Sequence, residues 1–585
     1  MIKTVRAFVA ERHLWISLIL LAMSLMILGW ARTYPVAKSP VETPVLDQVS
    51  PLFWTGLVAG FAALPGLVLT TKSPYAHWLA SCLFLLFLSA PQFLYLSWGS
   101  DAGSLSDLVE YVRSVDELDL SRDIAAQSYF QWPASILFHT YLADMLGVTA
   151  HVAAQIGFFF VAVSVTSGVF VLWTHDLPTR SRSTRAAFWG LVLYFAGFYW
   201  LFNWQAVPYA FSLALFFAML ALLGRQRWQE KSLVMLFFLV GIESHALFGL
   251  WSAAIVTILH FLGTVKRRSR SWLSLLLFLL VAQTAVIIYK NTRFLDYVVH
   301  STQGVYLALL ETGASDRALA TQIGTALAPL SSEPTAAILK ALSWCDLAFV
   351  AAAFGIGALT VLRRRRLGHR EIALFGAGSL HFVLGVVLAA IGTRSLQLLG
   401  MVPAYFVADA LVHGGRLARK AIQLASLISL LLFPAAIIRS HQMSANFLKP
   451  SHLLVRRHLV THRDARSDRV AILDEGRIHA TDRQSLQVYN PRTAKLDGCK
   501  GPYLIVDTPQ FRQYIASVAG CSVAEVEARL EQLALSTVYA SGDMTLRSGL
   551  DCRDWRILWK STTTGFQPVA WKATESRLKL TNAET

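Results

Sequence analysis

The sequence predicts an all-α polytopic membrane domain followed by a small C-terminal α/β domain outside the membrane. Three observations carry this. Charged residues make up 15% of the 585-residue chain and hydrophobic residues 55%, with a mean hydropathy of +0.49; soluble proteins carry about 25% charged residues. Apolar runs recur at the length a bilayer demands, roughly 17 to 25 residues. Beyond residue 438 the composition turns polar and no such run follows. The formal charge of +16 would suit nucleic acid if it formed one patch. The basic residues instead sit in short clusters between apolar runs, as cytoplasmic loops do. The expected partner is therefore membrane lipid, with no nucleic acid.

The N-terminus places Lys3, Arg6 and Arg12 ahead of an apolar run from Leu14. No small-x-small cleavage site follows, so it reads as a retained first span. About 13 spans are expected, near 14–30, 51–71, 78–97, 150–173, 187–202, 207–223, 232–243, 246–262, 271–289, 345–362, 371–391, 397–412 and 420–438. The apolar segment 133–148 is short for a span and reads as a partly inserted helix. One set of loops is basic: THDLPTRSRSTR, GRQRWQEK, GTVKRRSR, RRRRLGHR and VHGGRLARK. The alternating short loops, FNWQAVP, IESHA and IGTRSLQ, hold a single cation, Arg394. The positive-inside rule makes the first set and the N-terminus cytoplasmic in a cell membrane (inner or plasma). The second set, a long loop near 290–344 and the tail are then extracytoplasmic.

The membrane domain is read as 1–438 and the tail as 439–585. In the tail, RVAILD, a turn at Glu475-Gly476 and RIHATD read as a hairpin, and PYLIVDTP as a buried strand. Ser522 and Glu525 cap a helix, SVAEVEARLEQLAL. STVYASGD, MTLR and WRILWK read as later strands. Cys499, Cys521 and Cys552 could supply one disulfide if the tail lies outside. No phosphate loop, dinucleotide fingerprint or nucleophile elbow is present, so the tail is assigned no chemistry.

Chemistry is sought first in the stretch 98–133, where Asp101, Asp107, Glu110, Asp116, Glu117, Asp119 and Asp123 gather beside the bilayer. Ser104 and Asp107 have helix-start spacing. Leu105, Leu108, Val109, Val112 and Val115 give an apolar face, so a short amphipathic helix on the membrane surface is expected. Most of these acids read as solvation of a loop. Asp101 stands where the chain leaves the bilayer and could act as a general base or ligate a divalent cation; capping or pairing with a basic neighbour is the alternative. Glu243 and His245 interrupt an apolar run where Gly, Asn or Pro would make a simpler turn, which suits a ligand-binding pair or a satisfied turn histidine. Trp204 and Gln205 offer a stacking face and an amide, although interfacial tryptophans are common. Arg394 could grip a phosphate through a bidentate pair of charged hydrogen bonds or lie against ordinary lipid headgroups.

In this order the segments GSDAGSLSDLVEYV with YFQWPASILFHTYLADMLGV, FNWQAVPYAFSLALFFAMLALL, GIESHALFGLW and GTRSLQLLGMVPAYFVADAL resemble the GT-C superfamily of membrane glycosyltransferases, over roughly residues 80–415. The resemblance implies an inverting transfer of a sugar from a polyprenyl phosphate or diphosphate donor to a glycan, lipid or protein acceptor on the extracytoplasmic face. It implies Asp101 as the catalytic base and Arg394 as the ligand of the donor phosphate. Glu243 and His245 would lie near donor or acceptor. Three spans precede Asp101, where many members of the superfamily have one. No D-x-D pair accompanies Asp101, and Glu117-Leu118-Asp119 lies well downstream, so a divalent cation is left open. A polysaccharide polymerase or ligase shares much of this architecture. A transporter or flippase of lipid-linked glycan is the rival from another class, disfavoured because no inverted repeat is visible.

Overall fold

The apolar runs are helical in the computed structural model. It describes residues 2–36, 45–95, 97–98, 133–175, 180–198, 208–223, 228–265, 270–289, 334–364, 369–387, 392–443 and 447–448, and 105–113 apart from 107 and 111. Beyond these it describes 470–473, 486–489, 503–507, 512, 522–532, 536–541 and 544–550. The chain divides into two units, Met1–Lys449 and Pro450–Thr585.

The first unit opens with α1 (Ile2–Thr33), α2 (Val45–Gln48), α3 (Pro51–Thr70) and α4 (Pro74–Ser89), the last continued by a 3-10 turn, Ala90–Leu94. Next come α5 (Pro133–Leu146), α6 (Ala150–His175), α7 (Arg180–Phe198), α8 (Pro208–Leu222), α9 (Trp228–Ile242), α10 (Ala246–Val265) and α11 (Arg270–Tyr289). Then follow α12 (Pro334–Arg364), α13 (His369–Val387), α14 (Gly392–His413) and α15 (Arg416–Met443). Proline opens α3, α4, α5, α8 and α12, where its missing N–H is no loss and its fixed φ suits a helix start.

Six described helical segments are long and apolar enough to cross a membrane: His13–Thr33, Pro51–Thr70, Pro74–Leu94, Ala150–Thr174, Ala337–Arg364 and Arg416–His441. Shorter apolar stretches lie in α8, α10, α11, α13 and α14. At 14 residues, α5 is about 21 Å long against a hydrocarbon core of about 30 Å. The protein is a multi-pass membrane protein.

Small residues and aromatic rings hold the bundle together. Gly29 and Gly56 let α1 and α3 approach so closely that a Cβ at either position would collide with the partner helix backbone, the close-packing device of membrane helices. Phe61 of α3 sits edge-on to Phe84 of α4 (5.7 Å between ring centroids) and to Phe433 of α15 (5.9 Å), and Phe84 stacks on Phe433 at 6.1 Å. Such pairs add about 0.5–1.5 kcal/mol each beyond the area they bury.

Hydrogen bonds define two ends of this bundle. At one end, Arg185 at the start of α7 donates to the Thr71 carbonyl that closes α3 (2.9 Å), and Arg182 reaches the Val412 carbonyl in the last turn of α14 (3.5 Å). At the other, the Trp30 indole donates to Phe93 O (2.8 Å) and Val36 N to Leu94 O (2.9 Å). There β1 (Ser97–Trp98) also pairs antiparallel with β2 (Phe447–Leu448), and Tyr95 stacks on His441 at 5.6 Å. The Arg182–Arg185 segment and the Trp30–Tyr95 segment therefore lie at opposite ends of the bundle. The unit runs past residue 438 because β2, beyond the last helix, turns back onto β1.

The described residues between 105 and 113 are helical. Their apolar face, Leu105, Leu108, Val109 and Val112, is buried against Ile136 and Ala143 of α5 and Ala150 and Ala153 of α6. This corrects the expected membrane-surface helix: the face that could have lain on lipid is covered by protein. Glu110 accepts the Ala150 N–H at 2.8 Å, satisfying a free amide at the start of α6. Arg113 joins Asp144 (2.8 Å) and the Val148 carbonyl (3.1 Å). Ser104, Asp107 and Val115 lie outside the described residues.

The second unit carries β3 (Val470–Leu473), β4 (Leu486–Tyr489), β5 (Tyr503–Asp507), α16 (Val523–Gln532), β6 (Ser536–Ser541) and β7 (Met544–Leu550), with sheet order β4-β3-β5-β7-β6. The expected hairpin after RVAIL is corrected: β3 pairs in parallel with β4 on one side and with β5 on the other, leaving no edge for residues 477–482. A continuous apolar strand such as VAIL is the pattern of an interior parallel strand. The Ser522–Glu525 capping box is formed, with Ser522 N donating to Glu525 Oε2 (2.7 Å) and Glu525 N to Ser522 Oγ (3.2 Å). The three tail cysteines and WRILWK lie outside the described residues.

Arg512 clamps this unit. It donates twice to the fully buried Asp507 carboxylate (2.7 and 3.0 Å) and once to Glu527 of α16 (2.7 Å), contacts that raise its already high pKa further. Arg512→Ala removes both of these bonds from the buried Asp507 carboxylate, and should destabilise the unit by about 3 kcal/mol. Denaturant-dependent proteolysis of the tail in the full-length protein would measure it, and an unchanged midpoint would remove the clamp from the account.

Candidate functional site

The turn between α9 and α10 is built by its own polar groups. Ser244 N and His245 N both bond Gly241 O (3.0 and 3.1 Å), and Ser244 Oγ donates to Val240 O (2.6 Å), so the orphan carbonyls at the end of α9 are satisfied without glycine. The Glu243 carbonyl accepts the N–H of Ala134 in the first turn of α5 (3.2 Å). The His245 ring meets Tyr209, one residue into α8, edge-on at 5.3 Å, and Tyr209 in turn meets Trp251 of α10 at 6.1 Å. Glu243, His245, the start of α8 and the start of α5 thus converge.

The Arg394 segment reaches the same end. Arg394 stands in the first turn of α14, one turn ahead of Gln397, whose carbonyl accepts the Tyr194 hydroxyl of α7 at 2.9 Å. Tyr194 thus ties the Arg394 turn to α7, as Tyr209 ties α8 to the His245 turn. Asp101, Trp204 and Gln205 lie outside the described residues, as do most of 98–133 and 290–333. No three His, Cys, Asp or Glu residues come together among the described residues to hold a metal.

Several residues near this end, absent from the sequence reading, lie buried in apolar surroundings. His139 of α5 is 1% exposed; its Nδ1 bonds the Ser135 carbonyl (2.7 Å), while Nε2 packs on Gly157 with no partner among the described residues. Gln283 of α11 is 6% exposed and packs on Gly249 of α10, and both its amide atoms are unpartnered in the same sense. Deeper in the bundle, Asp346 of α12, 1% exposed, accepts a hydrogen bond from Ser429 of α15 at 2.5 Å. The signal for all three was a polar or ionisable residue inside an apolar run, which is costly in lipid and often functional.

Fold and contacts define a multi-pass membrane protein with polar and aromatic groups gathered at one end of its bundle. No protein-family model and no curated protein matches the chain. Among solved structures it is similar to the oligosaccharyltransferase of Archaeoglobus fulgidus, crystallised with zinc and sulfate, at 13% identity and a TM-score of 0.44, covering 76% of this chain and 70% of that one.

Proposed function

We propose that the protein is a membrane glycosyltransferase of the GT-C kind, moving a sugar from a polyprenyl phosphate or diphosphate to a glycan, lipid or protein acceptor on the extracytoplasmic face. The observation that supports it best is the convergence of the Glu243–His245 turn, the start of α8, the start of α5 and the first turn of α14 at the bundle end opposite the basic loops. In the proposed reaction Asp101 takes the proton of the acceptor hydroxyl as its oxygen bonds to the anomeric carbon. The bond from that carbon to the phosphate oxygen breaks, and the electron pair leaves with the phosphate, whose growing charge Arg394 stabilises. Glu243, His245, Trp204 and Gln205 would hold sugar and acceptor.

The test is direct. Purified full-length protein in proteoliposomes, supplied with a radiolabelled polyprenyl-phosphate sugar and envelope extract as acceptor, should move label off the lipid at a rate proportional to protein. Label that stays on the lipid but changes leaflet would favour the transporter, for which the buried Asp346 inside the bundle is the supporting observation. Label that neither moves nor transfers would count against both.

A further inference from the structure

The basic loops do more than record topology, because their cations surround a cavity. Lys72, Arg182, Arg185, Arg416, Arg419 and Lys420 line a space of about 370 Å³ where the ends of α3, α7, α14 and α15 meet. None of the six forms an ion pair with a carboxylate among the described residues. The cations also sit at adverse helix positions. Both α7 and α15 begin here with arginines and no acid in the first turn, although the positive end of a helix dipole favours anions.

The positive-inside rule needs cations on this side of the membrane, and exposed ones anywhere in these loops would satisfy it. It does not explain why they close around one space, nor how two of the polar groups there are built in. Arg185 is held by the Thr71 carbonyl (2.9 Å), and its Nε is buried without a partner among the described residues. Trp189, 1% exposed, lines the wall, and its indole N–H likewise has no partner among the described residues. Converging like charges, two helix N-termini and buried unpartnered donors call for an acceptor-rich anion. Guanidinium forks match phosphate oxygens in pairs.

We propose that this cavity binds a phosphate-bearing anion of charge two or more, on the face opposite the candidate active site. The chemistry fits either an anionic phospholipid headgroup entering from the leaflet or a soluble diphosphate from the aqueous side. Basic pockets between membrane helices on the cytoplasmic side are natural headgroup sites. The proposal is independent of the glycosyl-transfer reading.

Full-length protein in neutral detergent would be titrated with two probes, cardiolipin in mixed micelles and inorganic diphosphate, against a phosphatidylcholine reference. Saturable binding of cardiolipin alone identifies a headgroup site; saturable binding of diphosphate as well identifies a site open to water. In either case Arg182→Gln/Arg185→Gln should weaken binding roughly 30-fold, from about 1 kcal/mol per cation. The control Lys231→Gln/Arg363→Gln removes two exposed cations predicted to lie on the same face outside the cavity, and should change it little. If the first pair impairs folding, Arg419→Gln/Lys420→Gln tests the rim in its place. The proposal is overturned if wild-type protein binds neither probe saturably, or if the control weakens binding as much as the cavity variants do.

Discussion

Asp101→Asn is expected to lower sugar transfer roughly 10³-fold, within the range for loss of a general base, with expression and folding unchanged. Asparagine keeps the size and one oxygen of the carboxylate but cannot take the acceptor's proton, so the loss falls on kcat and leaves the KM for donor little altered. The alternative role for Asp101, capping or pairing in a loop, predicts the opposite pattern: asparagine caps about as well as aspartate, and transfer would survive. The described residues on either side of Asp101 are tied to other elements. On one side β1 is tied to β2 just past the last helix; on the other, the helix at 105–113 is locked by Glu110 to α6 and by Arg113 to Asp144. Retained activity in the asparagine variant would remove Asp101 from the mechanism.

The bundle was largely legible in the sequence because lipid imposes one demand on every span, an apolar run of set length with its backbone bonds satisfied internally. The tail's capping box was equally legible, since Ser522 and Glu525 act within one turn. Where a partner distant in sequence decides the outcome, reading failed. The pattern Leu105, Leu108, Val109, Val112 states that a helix has an apolar face, yet the same face suits lipid or protein; only Ile136, Ala143, Ala150 and Ala153 settle which. VAIL could join a hairpin or a parallel sheet, and β4 and β5 decide it. The Gln283–Gly249 contact joins two helices, and the basic cavity gathers residues from 72 to 420. No local spacing encodes either. Of the candidate site, GIESHA stood out in the sequence as a costly turn, whereas the contacts of Tyr194 with Gln397 and of Tyr209 with His245 are tertiary.

Arg394→Ala should reduce transfer by roughly 10²- to 10³-fold, the loss that follows removal of one preorganised group facing developing charge. Arg394→Lys should fall between alanine and wild type: the ammonium keeps the charge but not the planar fork that grips two phosphate oxygens. That graded series separates the proposed role from contact with bulk headgroups, for which all three residues would perform alike. A second readout sharpens it. Replacing a diphosphate-linked donor by the monophosphate-linked one changes the charge on the leaving group, so the penalty for losing Arg394 should differ between donors, while Asp101→Asn, acting on the acceptor proton, should lower both equally. The position of Arg394 in the first turn of α14, one turn ahead of the Gln397–Tyr194 bond, supports this division of labour. A helix N-terminus favours anions in its own right. Equal transfer by the alanine, lysine and wild-type proteins would return Arg394 to the membrane surface and take the donor-phosphate assignment with it.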